Sequence, residues 1–550
     1  MKLIPAILLA TVVAAAPEVT INNGTLQGVY LDSFDQEVFL GIPYAKPPVG
    51  ALRFAPPQPY NESWEGPLVV DEYGPACWSS AGTDTALMEH SEDCLSINIV
   101  RPAGNFSDLP VGFWIHGGGF YDGSGGRPAY NLSYIVQNAV DIGKPFIGVS
   151  INYRLSGFGF SSADALTQQG WTNIGLRDQI LAINWARENI AAFGGDPDHI
   201  VIWGESAGAI SVGKLITSQK VPFIKGAIME SGSAVMEGVF GANVGTHQTS
   251  FDELVEYTNC TNAVNVIECL QNIDEETLQY AFNSTNGVIS EVDWFPVVDG
   301  DVIPKSGYQS YVNGEFTKVP IMIGSNTDEG NAFTSVNITD YESTLEILGE
   351  SYPYLTNSSI EKLFNIYNNE SSPLSPLQAD YNPYDDGTIT VNDVYRRMAP
   401  FSGDAYFIGP ARFVAEFHAA HDLSVFKYRH NIPNKEGYNT SAIIGATHYT
   451  EVAYVFYTGQ QDQPYRTTSD GQKWWVDDRS EEISKSVSQL WAAFISDLDP
   501  NVADNGIEWT SYLNSPKNLV IDINGLYQED DTFRQEGIEL IREIHSQFAM

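Results

Sequence analysis

Apolar and polar positions alternate in two distinct patterns between about residues 95 and 235. Short runs rich in β-branched and aromatic residues predict strands, and the amphipathic segments between them predict helices. The helical pattern is clearest in LRDQILAINWARENIAAF (176–193), where apolar residues recur at helical spacing. The predicted strands are LSINIVRP (95–102), VGFWIHGGG (111–119), PFIGVSINYR (145–154), HIVIWGES (199–206), GAIMESGS (226–233) and, later, KVPIMIGSN (318–326) and SVFKYRHN (424–431). This alternation predicts an α/β fold with a mostly parallel central sheet and helices on both faces.

The rest of the chain is predicted to add to this sheet rather than to form separate domains. No internal repeat or long low-complexity linker divides the 550 residues, and large α/β proteins often form one unit. We therefore expect a single domain over residues 17–550, with helical insertions at about 236–315 and 340–425. In such sheets ligands bind outside the carboxyl ends of the strands, so the residues that follow each strand are the candidates for function.

One serine lies between two glycines at such a strand end. In IVIWGESAGAI (200–210), Ser206 follows a strand-like run and precedes a helix-like one. The pattern GxSxG is typical of a sharp turn that presents a nucleophilic serine above a sheet, with N–H groups of the next helix directed toward it. Chance alone gives about 0.3 such patterns in a chain of this length and glycine content. A tight turn with an ordinary capping serine is therefore the alternative.

A nucleophilic serine also needs an oxyanion hole. HGGGF (116–120) follows the strand-like FWI, and its glycines let the backbone approach a ligand and expose N–H groups. Gly118 and Gly119 are the predicted donors, with the N–H of Ala207 as the third. A flexible glycine turn is the alternative, and we expect His116 to pack or to form a local hydrogen bond.

The acid and the base are expected later, in the chain order Ser, Asp or Glu, His. Asp328 and Glu329 follow the strand VPIMIG, and the pattern alone does not choose between them. His448 lies in IIGATHYTEV, a turn that is the best context for a mobile imidazole; a structural histidine is the alternative. The other candidate bases are His418, His421, His430 and His545.

The charge of the chain excludes some partners. With 69 acidic and 28 basic residues, the formal net charge is −41. Such a chain repels phosphate backbones and anionic membrane surfaces, so nucleic-acid binding is disfavoured. The charge suits a soluble extracellular protein that resists aggregation; steering of a cationic substrate is the alternative.

The N-terminus and the cysteines indicate export. Lys2 precedes LIPAILLATVVAAA, an apolar run that ends in small residues, so residues 1–16 are a predicted secretory signal peptide. No later segment is long enough to suggest stable membrane insertion. The four cysteines allow three pairings, and two local disulfides are the simplest in an oxidising compartment; a metal site lacks both CxxC spacing and nearby histidines.

Ten sequons indicate a glycoprotein. The candidate acceptors are Asn23, Asn61, Asn105, Asn131, Asn259, Asn283, Asn337, Asn357, Asn369 and Asn439.

These motifs together resemble the type B carboxylesterase family of α/β-hydrolases, which includes cholinesterases and secreted fungal lipases. The resemblance covers nearly the whole chain after the signal peptide: FLGIPYAKPPVGALRF (39–54), EDCLSINIVRP, NYRLSGFGF, NIGLRDQ, NIAAFGGDP and WGESAG. The late segments AAFISDLDPN and DINGLYQEDDTF look most like secreted fungal lipases and esterases. The resemblance implies an α/β-hydrolase fold, in which a central sheet is flanked by helices.

The resemblance also implies residue roles. Ser206 matches the nucleophile, Glu329 in its DEG context matches the acid rather than Asp328, and His448 matches the base. The other matches are the oxyanion donors Gly118, Gly119 and Ala207, the disulfides Cys77–Cys94 and Cys260–Cys269, and the structural ion pairs Arg53–Glu92 and Arg154–Asp178. The implied reaction is acyl transfer through an acyl-enzyme, with no metal or organic cofactor.

The implied protein is a secreted carboxylesterase whose substrates are short- to medium-chain or aryl esters. Only WSSAGTDTALMEHSED separates Cys77 from Cys94, whereas lipases of the family carry a longer amphipathic lid there. A triacylglycerol lipase is therefore the alternative. Trp78 does not fit the position of the choline-binding tryptophan of cholinesterases. A non-catalytic binding member of the fold is the alternative from another class, and the sequence makes no prediction about oligomeric state.

Overall fold

The computed structural model describes residues 16–79, 88–236, 244–282, 294–334, 344–345, 348, 352, 354–367, 393–432, 445–459 and 478–548. The predicted signal peptide (1–16) lies outside the described residues except for Ala16. Four candidate glycosylation sites, Asn283, Asn337, Asn369 and Asn439, also lie outside them.

An eleven-stranded mixed sheet forms the centre of the molecule, in the order β16-β15-β14-β13-β12-β11-β9-β10-β8-β4-β3. Neighbours from β15 to β10 pair in parallel, and the pairs at both edges are antiparallel. The seven predicted strands are confirmed as β8 to β14. The described strands are β1 Glu18–Ile21, β2 Gly24–Gln27, β3 Val29–Leu31, β4 Gln36–Pro43, β5 Leu68–Val69, β6 Ala76–Cys77, β7 His90–Ser91, β8 Ser96–Pro102, β9 Leu109–Ile115, β10 Ile147–Ile151, β11 Gly195–Glu205, β12 Gly226–Glu230, β13 Ile321–Asn326, β14 Val425–His430, β15 Lys517–Asp522 and β16 Gly525–Asp530.

The central strands are apolar because both faces of the sheet are covered. Successive side chains point to opposite faces, so Phe113 and Ile202 belong to one hydrophobic core while Trp114 and Trp203 belong to the other. The described helices are α1 Leu132–Asp141, α2 Ser156–Phe160, α3 Asp164–Thr167, α4 Ile174–Asn189, α5 Ala207–Ser218, α6 Val244–Tyr257, α7 Val266–Gln271, α8 Glu275–Phe282, α9 Gly307–Val312, α10 Asn357–Tyr367, α11 Asp393–Gly403, α12 Gly409–Ala419, α13 Val452–Val455, α14 Asp478–Asp497 and α15 Gln535–Glu543, with a π-helix at Asp404–Ile408.

Local cross-links agree with the expected pattern. The disulfides Cys77–Cys94 and Cys260–Cys269 are both present. The two expected ion pairs are buried, with 2.5 Å between Arg53 Nε and Glu92 Oε1 and 2.7 Å between Arg154 Nη2 and Asp178 Oδ1. Among the described residues, no helix has an apolar stretch of the length that a membrane crossing requires.

Candidate active site

Ser206 lies in a sharp turn between β11 and α5. Its backbone is in the left-handed region, with φ 53° and ψ −123°, which is a strained conformation for a residue with a side chain. Neither flanking position has room for a side chain. A Cβ on Gly204 would lie 2.5 Å from the carbonyl carbon of Gly208, and a Cβ on Gly208 would lie 2.0 Å from the oxygen of Ile115. The turn therefore holds the serine, which is partly exposed, at the carboxyl end of the sheet.

The glycine loop after β9 lies directly against this turn. A Cβ on Gly117 would lie 2.6 Å from the oxygen of Glu205 and 3.0 Å from Cβ of Ser206. Gly118 and Gly119 have φ values of +106° and +61°, respectively. Within the described residues, the N–H groups of Gly118, Gly119 and Ala207 have no hydrogen-bond acceptor, so three donors are available beside Ser206.

The two neighbouring acids after β13 have different partners. Glu329 Oε2 lies 2.6 Å from Nδ1 of His448, and Glu329 Oε1 accepts hydrogen bonds from the backbone and side-chain nitrogens of Asn326 at 2.7 and 3.3 Å. Asp328 instead accepts a 3.0 Å hydrogen bond from the backbone N–H of Ala446 and donates its own N–H to the oxygen of Ala446. Glu329 thus contacts the imidazole, while Asp328 holds the loop that carries it.

The other ring nitrogen of His448 faces the serine turn. Nε2 lies 3.3 Å from Oε1 of Glu205, the residue before Ser206. The structure contains no hydrogen bond between Ser206 Oγ and His448; such bonds are often long or misaligned in unliganded active sites. The ring of His448 packs between Phe333 and Phe407, with centroid distances of 4.9 and 4.7 Å.

The remaining histidines have other partners. Burial lowers the pKa of His116 to about 4; its ring stacks on Tyr153 and Nδ1 contacts the oxygen of Gly117, as expected for a packing residue. Within the described residues, Glu329 contacts none of the other candidate bases. Their neighbours are Tyr311 for His418, the oxygen of Phe417 for His421, Tyr454 for His430 and Tyr308 for His545.

Three further buried carboxyl groups lie behind the site, and sequence reasoning missed them. Glu451 accepts hydrogen bonds of 2.6 Å from both Ser231 Oγ and Asn326 Nδ2, and burial with the nearby charge of Glu329 raises its pKa to about 7. Burial likewise raises the pKa of Glu205 and of Glu230 well above the usual range. The position of each residue in the sequence could have indicated that it lies near the site. Glu205 precedes Ser206, Glu230 ends the next strand, and Glu451 follows His448 by three positions.

The base of the disulfide loop between Cys77 and Cys94 is anchored to α8. The indole N–H of Trp78 donates to the carboxylate of Glu275 on α8, and the indole ring stacks on His90 with 5.8 Å between centroids. The same carboxylate accepts a 2.6 Å hydrogen bond from the backbone N–H of Glu92. Residues 80–87, which form the middle of this loop, lie outside the described residues.

The chain matches known proteins along nearly its whole length. The model of the Carboxylesterase family matches residues 15–539. Lipase 4 of Diutina rugosa is 31% identical over 98% of both chains, and Secreted lipase 1 of Botryotinia fuckeliana (strain B05.10) is 31% identical over 96% of this chain and 93% of its own. Among solved structures, EstA of Aspergillus niger superposes with a TM-score of 0.81 at 28% identity, covering 98% of this chain and 99% of its own. A structure titled PNB esterase superposes with a TM-score of 0.74 at 26% identity, covering 96% of this chain and 100% of its own. The chain is therefore a member of the carboxylesterase family, with the α/β-hydrolase fold and the activity of a carboxylic-ester hydrolase.

Proposed function

We propose that this protein is a secreted serine esterase in which Ser206 is the nucleophile, His448 the base and Glu329 the acid. The observation that carries the proposal is the 2.6 Å contact between Glu329 and His448 at the strand ends beside the Ser206 turn. A carboxylate on one ring nitrogen fixes the tautomer that leaves the other nitrogen able to accept a proton.

The chemistry follows from this arrangement. Nε2 of His448 takes the proton of Ser206 as Oγ attacks the ester carbonyl, and the alcohol leaves with that proton. The N–H groups of Gly118, Gly119 and Ala207 stabilise the oxyanion; one such donor is typically worth about 3 kcal/mol. Water then repeats the sequence on the acyl-enzyme. The partner is a small-molecule ester, and no step uses a metal or an organic cofactor.

Short- to medium-chain or aryl esters are the proposed substrates. Cys77 and Cys94 are only 17 positions apart. Trp78, the first residue of the loop between them, is hydrogen-bonded to Glu275 on α8. An anchored loop this short leaves little chain to move aside at a lipid surface. Triacylglycerol hydrolysis is the second candidate, because the relatives from Diutina rugosa and Botryotinia fuckeliana are named lipases.

Two experiments test these proposals. With a soluble p-nitrophenyl ester, His448→Ala is expected to lower kcat by about 10⁴-fold or more, since the base is lost, while the matched variant His421→Ala keeps wild-type turnover. Equal behaviour of the two variants would refute the assignment of the base. With tributyrin, the rate is expected to saturate below the solubility limit; a sharp rise above that limit would favour the lipase instead.

Export and glycosylation belong to the same proposal. The two disulfides suit an oxidising compartment. Asn61, Asn105, Asn259 and Asn357 are exposed, so we expect glycans on them. The amide nitrogen of Asn23 instead donates to the oxygens of Tyr60 and Glu62, so we expect that position to stay unmodified; peptide mapping after deglycosylation of the secreted protein tests both expectations.

A further inference from the structure

Tyr449, the residue directly after His448, has an unusual backbone conformation. Its φ is +75°, in the left-handed region where a residue with a Cβ is strained and glycine is not. If Tyr449 relaxed to a negative φ, the peptide that joins it to His448 would rotate and displace the imidazole. The position of the candidate base therefore depends on whatever holds Tyr449 in place.

The side chain of Tyr449 is held by the segment that follows the glycine loop. The guanidinium carbon of Arg127 lies 5.2 Å from the centre of the Tyr449 ring and 5.0 Å from that of Tyr130. Nη1 of Arg127 donates a 3.1 Å hydrogen bond to the Tyr130 hydroxyl, and Tyr130 packs against Trp114 of the central sheet. The three side chains are nearly inaccessible to solvent, with Arg127 7% exposed, and desolvation strengthens a cation–π contact.

From this cluster we infer that Arg127 is a positioning residue for ester hydrolysis: its planar guanidinium lies over both Tyr130 and Tyr449, whose rings also meet edge to face at 6.2 Å, and it fixes the left-handed turn that places His448. The inference rests on the proposed function, because it gives His448 the role of base. It also links the segment that follows the glycine loop to the loop of the base. Neither element alone determines where Nε2 lies relative to Ser206.

A lysine substitution distinguishes the planar shape of the Arg127 side chain from its positive charge. Arg127 also places a positive charge near the carboxyl group of Glu205, and a lysine retains that charge but lacks the planar group that stacks on two rings. Arg127→Lys is therefore expected to lower kcat about tenfold while KM stays within about twofold, because misplacing a base affects the transition state and not substrate binding. Arg187→Lys is the matched control, since Arg187 stacks on Phe223 at the protein surface.

Substitutions of Tyr449 test whether the effect passes through the backbone. Tyr449→Leu removes the ring but keeps the Cβ and its strain, so kcat is expected to fall about as far as in Arg127→Lys. Tyr449→Gly removes both ring and strain, so kcat is expected to stay within about threefold of wild type. In the Tyr449→Gly background, Arg127→Lys is expected to change kcat by no more than about twofold, because the Tyr449 ring that Arg127 contacts is absent.

The experiment measures kcat and KM on a soluble p-nitrophenyl ester, with active sites counted by a fluorophosphonate probe. A wild-type kcat in Arg127→Lys, or equal losses in Tyr449→Leu and Tyr449→Gly, would overturn the inference. If Arg127→Lys does not fold, the comparison of the two Tyr449 variants decides alone. If the wild type is active and the variants are unaffected, only the role of Arg127 is refuted. If the probe does not label the wild type, the proposed function is refuted as well.

Discussion

Replacing Glu329 by glutamine is the most informative change in the site, because the surrounding hydrogen bonds dictate how the new amide must lie. Asn326 offers two N–H donors to Oε1 of Glu329, while Nδ1 of His448 faces Oε2. A glutamine has one acceptor oxygen, and that oxygen satisfies the two donors of Asn326. Its NH₂ group then points at Nδ1 of His448, so the imidazole must carry its proton on Nε2.

An imidazole protonated on Nε2 has no lone pair there to take the proton of Ser206. A wrong tautomer of this kind typically costs about 10⁴ in kcat, or about 5 kcal/mol of transition-state stabilisation. The matched control is Asp328→Asn: Asp328 accepts from the N–H of Ala446, and the asparagine oxygen can keep that bond. We expect Asp328→Asn to lose less than about tenfold. The assay is steady-state hydrolysis of a soluble p-nitrophenyl ester near neutral pH. If Glu329→Gln stays within about tenfold of wild type, or if Asp328→Asn is as impaired as Glu329→Gln, Glu329 does not set the tautomer of His448.

Three further predictions concern the glycine loop, the buried acids and a disulfide. Gly118→Ala is expected to lower kcat about 100-fold, because the new Cβ would lie 2.2 Å from the oxygen of Asp122 and would displace an N–H donor of the oxyanion hole. Gly143→Ala is the control for backbone strain, since Gly143 also has a left-handed backbone but no atom lies within 4 Å of the new Cβ. Equal losses in the two variants would contradict the prediction. The raised pKa of Glu451, about 7, means that its contribution to stability is greatest below its unfolded pKa and is lost as pH rises toward 7. Glu451→Gln is therefore expected to lower Tm more at pH 5 than at pH 8, and the opposite order by scanning fluorimetry would exclude a raised pKa. Replacing Cys260 and Cys269 together by serine is expected to cost about 2–3 kcal/mol in the free energy of unfolding, measured with urea; an unchanged midpoint would contradict this prediction.

The central sheet was predictable because its strands are buried on both faces and thus appear as short apolar runs. The antiparallel edges were missed, since strands such as Gly525–Asp530 contain no buried residue and therefore no apolar run. A signal was present: Asn524-Gly525 is a dipeptide typical of a hairpin, and it lies at the two-residue connection 523–524, where β15 ends at Asp522 and β16 begins at Gly525.

The site was predictable where local sequence sets the chemistry. The Ser206 turn depends on two glycines only four positions apart. Because neither position has room for a Cβ, the requirement is visible in the sequence as GxSxG. Asp328 and Glu329 could not be separated by pattern, because both follow the same strand and only the fold decides which carboxylate reaches His448. The contact between Ser231 and Glu451 joins positions 220 residues apart, and the stack on Tyr449 brings in Arg127 from far upstream, so neither leaves a local signature.

Covalent labelling of Ser206 is the decisive test of whether this residue is the nucleophile of the esterase. The wild-type chain is incubated with a fluorophosphonate and examined by intact mass and peptide mapping, with Ser206→Ala alongside. We expect one phosphonyl group per chain, on the peptide that contains Ser206, with matching loss of esterase activity and no adduct on Ser206→Ala. An unlabelled wild type, or an equal adduct on Ser206→Ala, would contradict it.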